Sequence, residues 1–260
     1  WTTYKYRNEV GSYRRTFTVP QDWKGRAVYI NFDGVDSFFY LWINGRYVGF
    51  SKNSRNTASF NISDYLVKGE NVVAVEVYRN SDASFLEAQD MFRLPGIIRS
   101  TYLTATPMVQ VRDLVVRTTL PDAAAFGSAD GTVTVDADIR NLSGKEAKGY
   151  SLAYKVYPNK LYSDESLPET GSAVNSERFN VGKGQNTGSH TRFILKDAKL
   201  WSAEQPYRYT LVAELKDAKG RTVDILSTHF GVRQVEIKDT EAKDDEFGLK
   251  GRYFYVNKMP

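Results

Sequence analysis

The chain has 260 residues, 41% hydrophobic and 25% charged, which is an ordinary globular balance with room for two domains. A net charge of +4 comes from 35 basic and 31 acidic residues that are interspersed, so nucleic-acid binding has little support. Cysteine is absent, which removes disulfides, thiolate metal sites and a cysteine nucleophile together, and no stretch approaches the ~18 consecutive apolar residues of a membrane helix.

Trp1 is not an initiator residue. The amino terminus is therefore expected to be incomplete, and a targeting sequence can be missing from it. That leaves the compartment open between cytoplasm and periplasm. The first clear element is the alternation of Val28, Ile30 and Phe32 against Tyr29 and Asn31, which predicts a strand with one apolar face. In the stretch FFYLWINGRYVGF, residues 38–50, Asn44-Gly45 is the dipeptide of a type I′ hairpin turn, because both central residues take positive φ. Trp42 and Tyr47 then face each other across the hairpin. A short helical turn is predicted in NISDYLVKGEN, capped by Ser63 and ended by Gly69. Val73, Val75 and Val77 form the next alternating strand.

The stretch FLEAQDMFRLPGIIR, residues 85–99, sets Glu87 and Asp90 among Phe85, Leu86, Met91, Phe92 and Leu94. Carboxylates are costly to bury unless paired, so these two are a catalytic pair, ligands held toward a neighbouring site, or satisfied loop residues. Spacing argues against the first. A general acid and its partner base or nucleophile must reach the reacting atoms from different sides, and two acids on one short segment approach from one direction. Asp90 has a plain alternative as a loop acid paired with Arg93 or Arg99. If the Phe92 ring is buried, its truncation costs ~3–5 kcal/mol. Asp33 and Asp36, in a strand-end turn, and Asp244, Asp245 and Glu246, in a charged connector, are expected to be solvated.

Alternation restarts after Pro107. Val133, Val135, Ala137 and Ile139 share a face, as do Tyr207, Tyr209, Leu211, Ala213 and Leu215. Residues 158–187 are polar and weakly periodic and are expected to be loops between strands. The two histidines, His190 and His229, fall in different segments and offer no metal-ligand spacing. Trp201 with Pro206 and Tyr207 is expected to be an edge cluster and not a sugar platform. After FGVRQVEI the connector KDTEAKDDE leads to GLKGRYFYVNKMP, where a new strand pair begins. The expectation is therefore an all-β chain of sandwiches.

The ordered phrases NEVGSYRRTFTVP, FDGVDSFFYLWINGRYVGFSKNSR, ISDYLVKGENVVAVEVYR and FLEAQDMFRLPGIIRSTYLTATP resemble the sugar-binding domain of glycoside hydrolase family 2. LWSAEQPYRYTLVAEL and FGVRQVEI resemble the end of the immunoglobulin-like domain that follows it there, and GLKGRYFYVNKMP resembles the lead-in to the catalytic (β/α)8 barrel. VGFSKNSR and QDMFR point to the large bacterial β-galactosidase branch. The resemblance implies a jelly roll at residues 1–106, an immunoglobulin-like β-sandwich at 107–237, and a connector with first strands at 238–260 leading to an absent TIM barrel.

It also implies function. The matching branch carries its acid/base and nucleophile glutamates and its magnesium ligands on the barrel, so this stretch would be a non-catalytic wall of a retaining β-galactosidase that assembles as a homo-oligomer. By the same resemblance Asp90 contacts galactosyl hydroxyls and a sodium ion, and Asn8 lies at the substrate pocket. A turn-forming role before Gly11 also explains Asn8. Ala88 and Phe92 depart from the usual DQDMWR phrase, which leaves a parent acting on a glucuronide or mannoside open. A stand-alone carbohydrate-binding module is the further alternative, and the tail after residue 246 argues against it.

Overall fold

A computed structural model describes residues 8–87, 89–90, 92–121, 127–169, 173–244 and 246–259. The chain divides into two compact units, residues 1–107 and 108–260. Both are β-sandwiches, as alternating short strands without helical periodicity require.

In the first unit β1 (Val10–Thr18), β4 (Phe38–Ile43), β5 (Arg46–Ser51) and β7 (Glu70–Tyr78) form one sheet in the order β1-β7-β4-β5. β2 (Ala27–Phe32), β6 (Ala58–Asn61) and β9 (Thr101–Thr106) form the second in the order β6-β2-β9, and β3 (Val35–Asp36) pairs with β8 (Gly96–Ile97). Every pairing is antiparallel. The core is Val28, Ile30 and Phe32 of β2 against Phe39, Leu41, Ile43, Val75 and Val77 of the facing sheet. A cavity of 890 Å³ opens between the sheets, lined by Phe17, Trp23, Ile30, Phe32, Val75 and Leu103 among others.

The β4–β5 turn has the expected chemistry. Asn44 and Gly45 take φ of 52° and 76°, and Trp42 and Tyr47 are cross-strand partners with ring centroids 5.9 Å apart. The Asn44 side chain is also tied down. Its amide donates to Tyr65 O and Asn71 Oδ1, and its carbonyl accepts from Val72 N. The helical turn is shorter than expected, a 3-10 turn over Ser63–Tyr65. Ser63 does not cap it. Asn61 Oδ1 accepts from Ser63 N and Oγ, and the Ser63 hydroxyl accepts from Val28 N. The turn ends well before Gly69, which takes φ of 90° ahead of β7.

In the second unit β10 (Val109–Thr119), β11 (Ser128–Asn141) and β15 (Asn186–Lys199) form one sheet. β12 (Ala147–Pro158), β13 (Val174–Asn175), β14 (Phe179–Val181), β16 (Tyr209–Lys216) and β17 (Thr222–Phe230) form the other. Val133, Val135, Ala137 and Ile139 of β11 bury against Leu211, Ala213 and Leu215 of β16, as their period-2 spacing dictates. The polar run at 158–187 is not all loop, because β13 and β14 lie within it and both pair with β12. β18 (Val235–Asp239) and β19 (Arg252–Val256) make a two-stranded ribbon, so the strand of the final phrase pairs back onto the QVEI strand. Within the connector Glu246 is exposed. The Asp244 side chain and Asp245 lie outside the described residues.

Candidate functional site

The segment carrying Asp90 leaves β7 at one end of the first sandwich. A short helix α1 (Asp82–Leu86) follows β7, and Ser81 N donates to Ser84 Oγ at 2.9 Å to close its first turn. Ser84 is buried. Glu87 N donates to Ala83 O and Gln89 N donates to Glu87 O, so the chain turns tightly as it leaves the helix. Beyond Pro95, Gly96 takes φ of 124°, a backbone conformation that side-chain-bearing residues avoid, and re-enters the sheet as β8.

Glu87 and Asp90 part company here. The Glu87 carboxylate accepts two bonds from one residue, Ser54 Oγ at 2.5 Å and Ser54 N at 3.2 Å. Ser54 is 1% exposed, so a charge-assisted bond is made out of water. Asp90 is exposed, and among the described residues its carboxylate has no hydrogen-bond or ion-pair partner. The pairing with Arg99 does not form. Arg99 Nη1 donates instead to Arg55 O at 2.9 Å and Asp33 O at 3.5 Å. Arg93 does not reach Asp90 either.

The apolar residues around Asp90 face outward. Phe92 is 90% exposed, and Phe85, Leu86 and Leu94 are exposed with it. The condition for a large cost of truncating Phe92, a buried ring, is not met, because the main chain and not the side chain is what the sandwich holds. Arg55 Nη2 donates to Phe92 O at 3.4 Å. Lys52 Nζ reaches Asp82 at 2.9 Å, and this hydrogen bond holds the Asp82 carboxyl below its usual range.

Asp33 and Asp36 are not solvated loop acids. Asp36 is buried, with Arg55 Nη2 at 3.8 Å. Asp33 Oδ1 accepts from Thr57 Oγ1 at 3.1 Å and from the Tyr102 hydroxyl at 3.2 Å, and that bond pushes the Tyr102 phenol up. Asp33 thus ties Thr57 to Tyr102, and Asp36 lies beside the Arg55 guanidinium.

Asn8 is paired with the backbone of Asn80. Its Nδ2 donates to Asn80 O at 2.6 Å and its Oδ1 accepts from Asn80 N at 2.8 Å. This two-point contact joins the start of β1 to the end of β7, so Asn8 does not simply form a turn before Gly11. The amide is exposed and keeps one N–H and one lone pair beyond those bonds. Next to it a cavity of 250 Å³ is lined by Glu9, Gly11, Tyr13, Arg79, Pro95 and Gly96. The lining takes in Glu9, the neighbour of Asn8, and Pro95 and Gly96 at the end of the loop that carries Asp90; Asn8 and Asp90 themselves are not part of it. Sequence reasoning missed Ser54 and Arg55, which lie 33 and 37 residues from the groups they hold. No spacing rule links them.

Among the described residues no group of three His, Cys, Asp or Glu side chains could hold a metal ion, and no helix is long and apolar enough to cross a membrane. In the second unit His190 Nδ1 lies 2.7 Å from Asp136, whose carboxyl this bond lowers, and His229 Nδ1 lies 3.1 Å from Thr210 Oγ1. Both are sheet-surface contacts. Trp201 pairs with Pro206, and the Arg233 guanidinium lies 4.3 Å from its ring centroid, so that face is not open to a sugar.

Comparison with known proteins adds the following. Residues 2–107 match the sugar binding domain of glycosyl hydrolases family 2, and residues 109–233 match the glycosyl hydrolases family 2 domain that accompanies it. A β-galactosidase of Priestia megaterium is 41% identical over 232 residues, 89% of this chain and 21% of the relative. One of Clostridium acetobutylicum is 34% identical over 235 residues, 90% of this chain and 24% of the relative. The chain therefore spans about a fifth to a quarter of the length of these curated relatives. Among solved structures, a Bacteroides uniformis β-glucuronidase superposes with a TM-score of 0.76 at 21% identity, over 98% of this chain and 29% of that one. A β-glycosidase from Bacteroides vulgatus gives 0.67 at 22% identity, over 96% and 28%. At such identities the likeness is one of fold.

Proposed function

Because the chain belongs to glycoside hydrolase family 2, we propose that it is the amino-terminal, non-catalytic part of a retaining β-galactosidase and forms one wall of that enzyme's active site. The observation that carries this reading is the divergence of the two acids. Glu87 is spent on Ser54, while Asp90 stands exposed and unpartnered among the described residues. Identity of 41% and 34% to proteins named β-galactosidase supplies the reaction class.

Double displacement needs two carboxyl groups ~5 Å apart on opposite sides of the anomeric carbon. Among its described residues the Asp90 segment offers one unpaired acid, which suits a supporting role, and the acid/base and nucleophile are assigned to a barrel in the remaining length that the curated relatives have. Asp90, ionised, accepts hydrogen bonds from galactosyl hydroxyls and offers hard oxygen to a sodium ion. A single carboxylate fits one position of such a site and cannot complete it, so the remaining donors come from the barrel, which also carries the magnesium ligands. Asn8 uses its spare N–H and lone pair toward the same pocket. The parent assembles as a homo-oligomer.

The test is Asp90→Asn in the longer protein, read with an aryl β-galactoside. Turnover falls and dependence on sodium weakens while the thermal midpoint holds, and the 260-residue chain alone releases no galactose. Unaltered galactosidase kinetics in the variant would remove Asp90 from the site. Faster cleavage of an aryl β-glucuronide or β-mannoside by the longer protein would reassign its substrate.

A further inference from the structure

We infer that Ser54 and Arg55 are positioning residues for Asp90, a two-residue clamp that fixes the chain on both sides of the carboxylate. Ser54 holds Glu87, three residues before Asp90, and Arg55 holds the carbonyl of Phe92, two residues after it. Adjacent residues of one loop thus grip both flanks of the segment and, among the described residues, leave the acid between them without a partner.

The clamp is itself braced. Arg55 Nη2 lies 3.8 Å from the buried Asp36 carboxylate, and Arg55 O accepts from Arg99 at 2.9 Å. Gly34 lets the chain come close, since a Cβ there would lie 3.2 Å from Ser54 O. The Ser54 hydroxyl is buried and donates to a carboxylate, the arrangement in which a hydrogen bond is strongest and its loss most costly. The neighbouring Lys52–Asp82 pair is exposed on both sides and contributes little to this rigidity. The arrangement also accounts for the paired acids of the sequence. One carboxylate is consumed in holding the loop so that the other is presented in a fixed direction. A ligand then meets a donor set that needs no ordering on binding.

The assignment of Asp90 as the presented group rests on the proposed function, but the clamp can be tested without it. In the 260-residue chain, hydrogen–deuterium exchange is followed in Ser54→Ala and Glu87→Ala, with Glu87→Gln as the conservative variant that keeps one acceptor. The hydrogen-bonded amides of Glu87 and Gln89, where the segment turns away from the helix, should exchange about tenfold faster in the first two, since one charge-assisted bond is removed. The β2 and β7 amides should be unchanged, and Glu87→Gln should recover part of the protection. Glu87 is only half-buried, where Ser54 is 1% exposed, so its variants decide the matter even if Ser54→Ala fails to fold. Unchanged exchange at Glu87 and Gln89 would overturn the clamp.

The second arm is a double-mutant cycle in the longer protein with an aryl β-galactoside. Ser54→Ala should raise KM about tenfold with a smaller change in kcat, and should add nothing further in an Asp90→Asn background. Additive effects would mean that the loop is held for another purpose, and would overturn the positioning role. A parent protein inert toward β-galactosides would overturn the functional reading, with the exchange arm still deciding the clamp.

Discussion

Phe92→Ala separates the two halves of the Asp90 segment, its anchored main chain and its outward side chains. The residue is 90% exposed, and its sandwich contact is made by the backbone carbonyl, which truncation leaves in place. About a tenth of a ~200 Å² aromatic side chain is then removed from water, about 20 Å², which at ~25 cal/mol per Å² is about 0.5 kcal/mol. In the 260-residue chain the thermal midpoint should move by about 1–2 °C at most, because a shift of 1 kcal/mol corresponds to ~2–4 °C at this size. A buried ring would instead cost ~3–5 kcal/mol. A loss of that size in urea or thermal unfolding would refute the outward placement of the ring. The same substitution in the longer protein has a different expectation. There the ring is one of four exposed apolar side chains beside Asp90, with Phe85, Leu86 and Leu94, and contact with the barrel would make it an interface anchor worth ~2 kcal/mol or more.

Two further perturbations probe the frame. Asn71 is fully buried and makes four side-chain bonds, with Asn44 Nδ2, Val67 N, Val67 O and Gly69 O. Asn71→Ala should cost ~2–4 kcal/mol in urea unfolding, because buried groups lose their partners; a cost under ~0.5 kcal/mol would show that water replaces the amide. Burial pushes the Tyr154 phenol from 10.0 up to about 12. A pKa raised in the folded state contributes stability that is intact below 10 and is lost as pH rises toward 12. Tyr154→Phe should therefore flatten the alkaline side of the stability profile, followed by urea unfolding at about pH 7 to 11. An unchanged alkaline limb would assign that instability to another group.

The sandwich architecture was legible because period-2 burial leaves a direct trace in sequence. Val133, Val135, Ala137 and Ile139 are fully or nearly fully buried, and Asn44-Gly45 adopts the two positive φ angles its chemistry favours. Failures came where a partner is distant in sequence. Asp36 reads as a turn acid until Arg55 is brought beside it, and Ser63 reads as a cap until Asn61 and Val28 claim its hydroxyl. The candidate site was half visible. The sequence marks Asp90 through a phrase shared with a family, but its freedom from Arg99 and the exposure of Phe92 depend on where the chain ends of the sandwich meet. The clamp on Glu87 left no local trace, since a buried serine looks like any other loop serine.

The antiparallel pairing of β1 with β7, and of β2 with β9, matches Val10 to Tyr78 and Ala27 to Thr106. In each sheet of the first sandwich one outer strand, β1 or β9, pairs only with a strand distant in the chain. During synthesis the ribosome must release nearly the whole unit before β2 meets its outer partner, and closing such long loops is entropically slow. Until Thr106 emerges, one side of β2 has no strand to pair with, and an unpaired strand edge is a surface open to association that the finished form conceals.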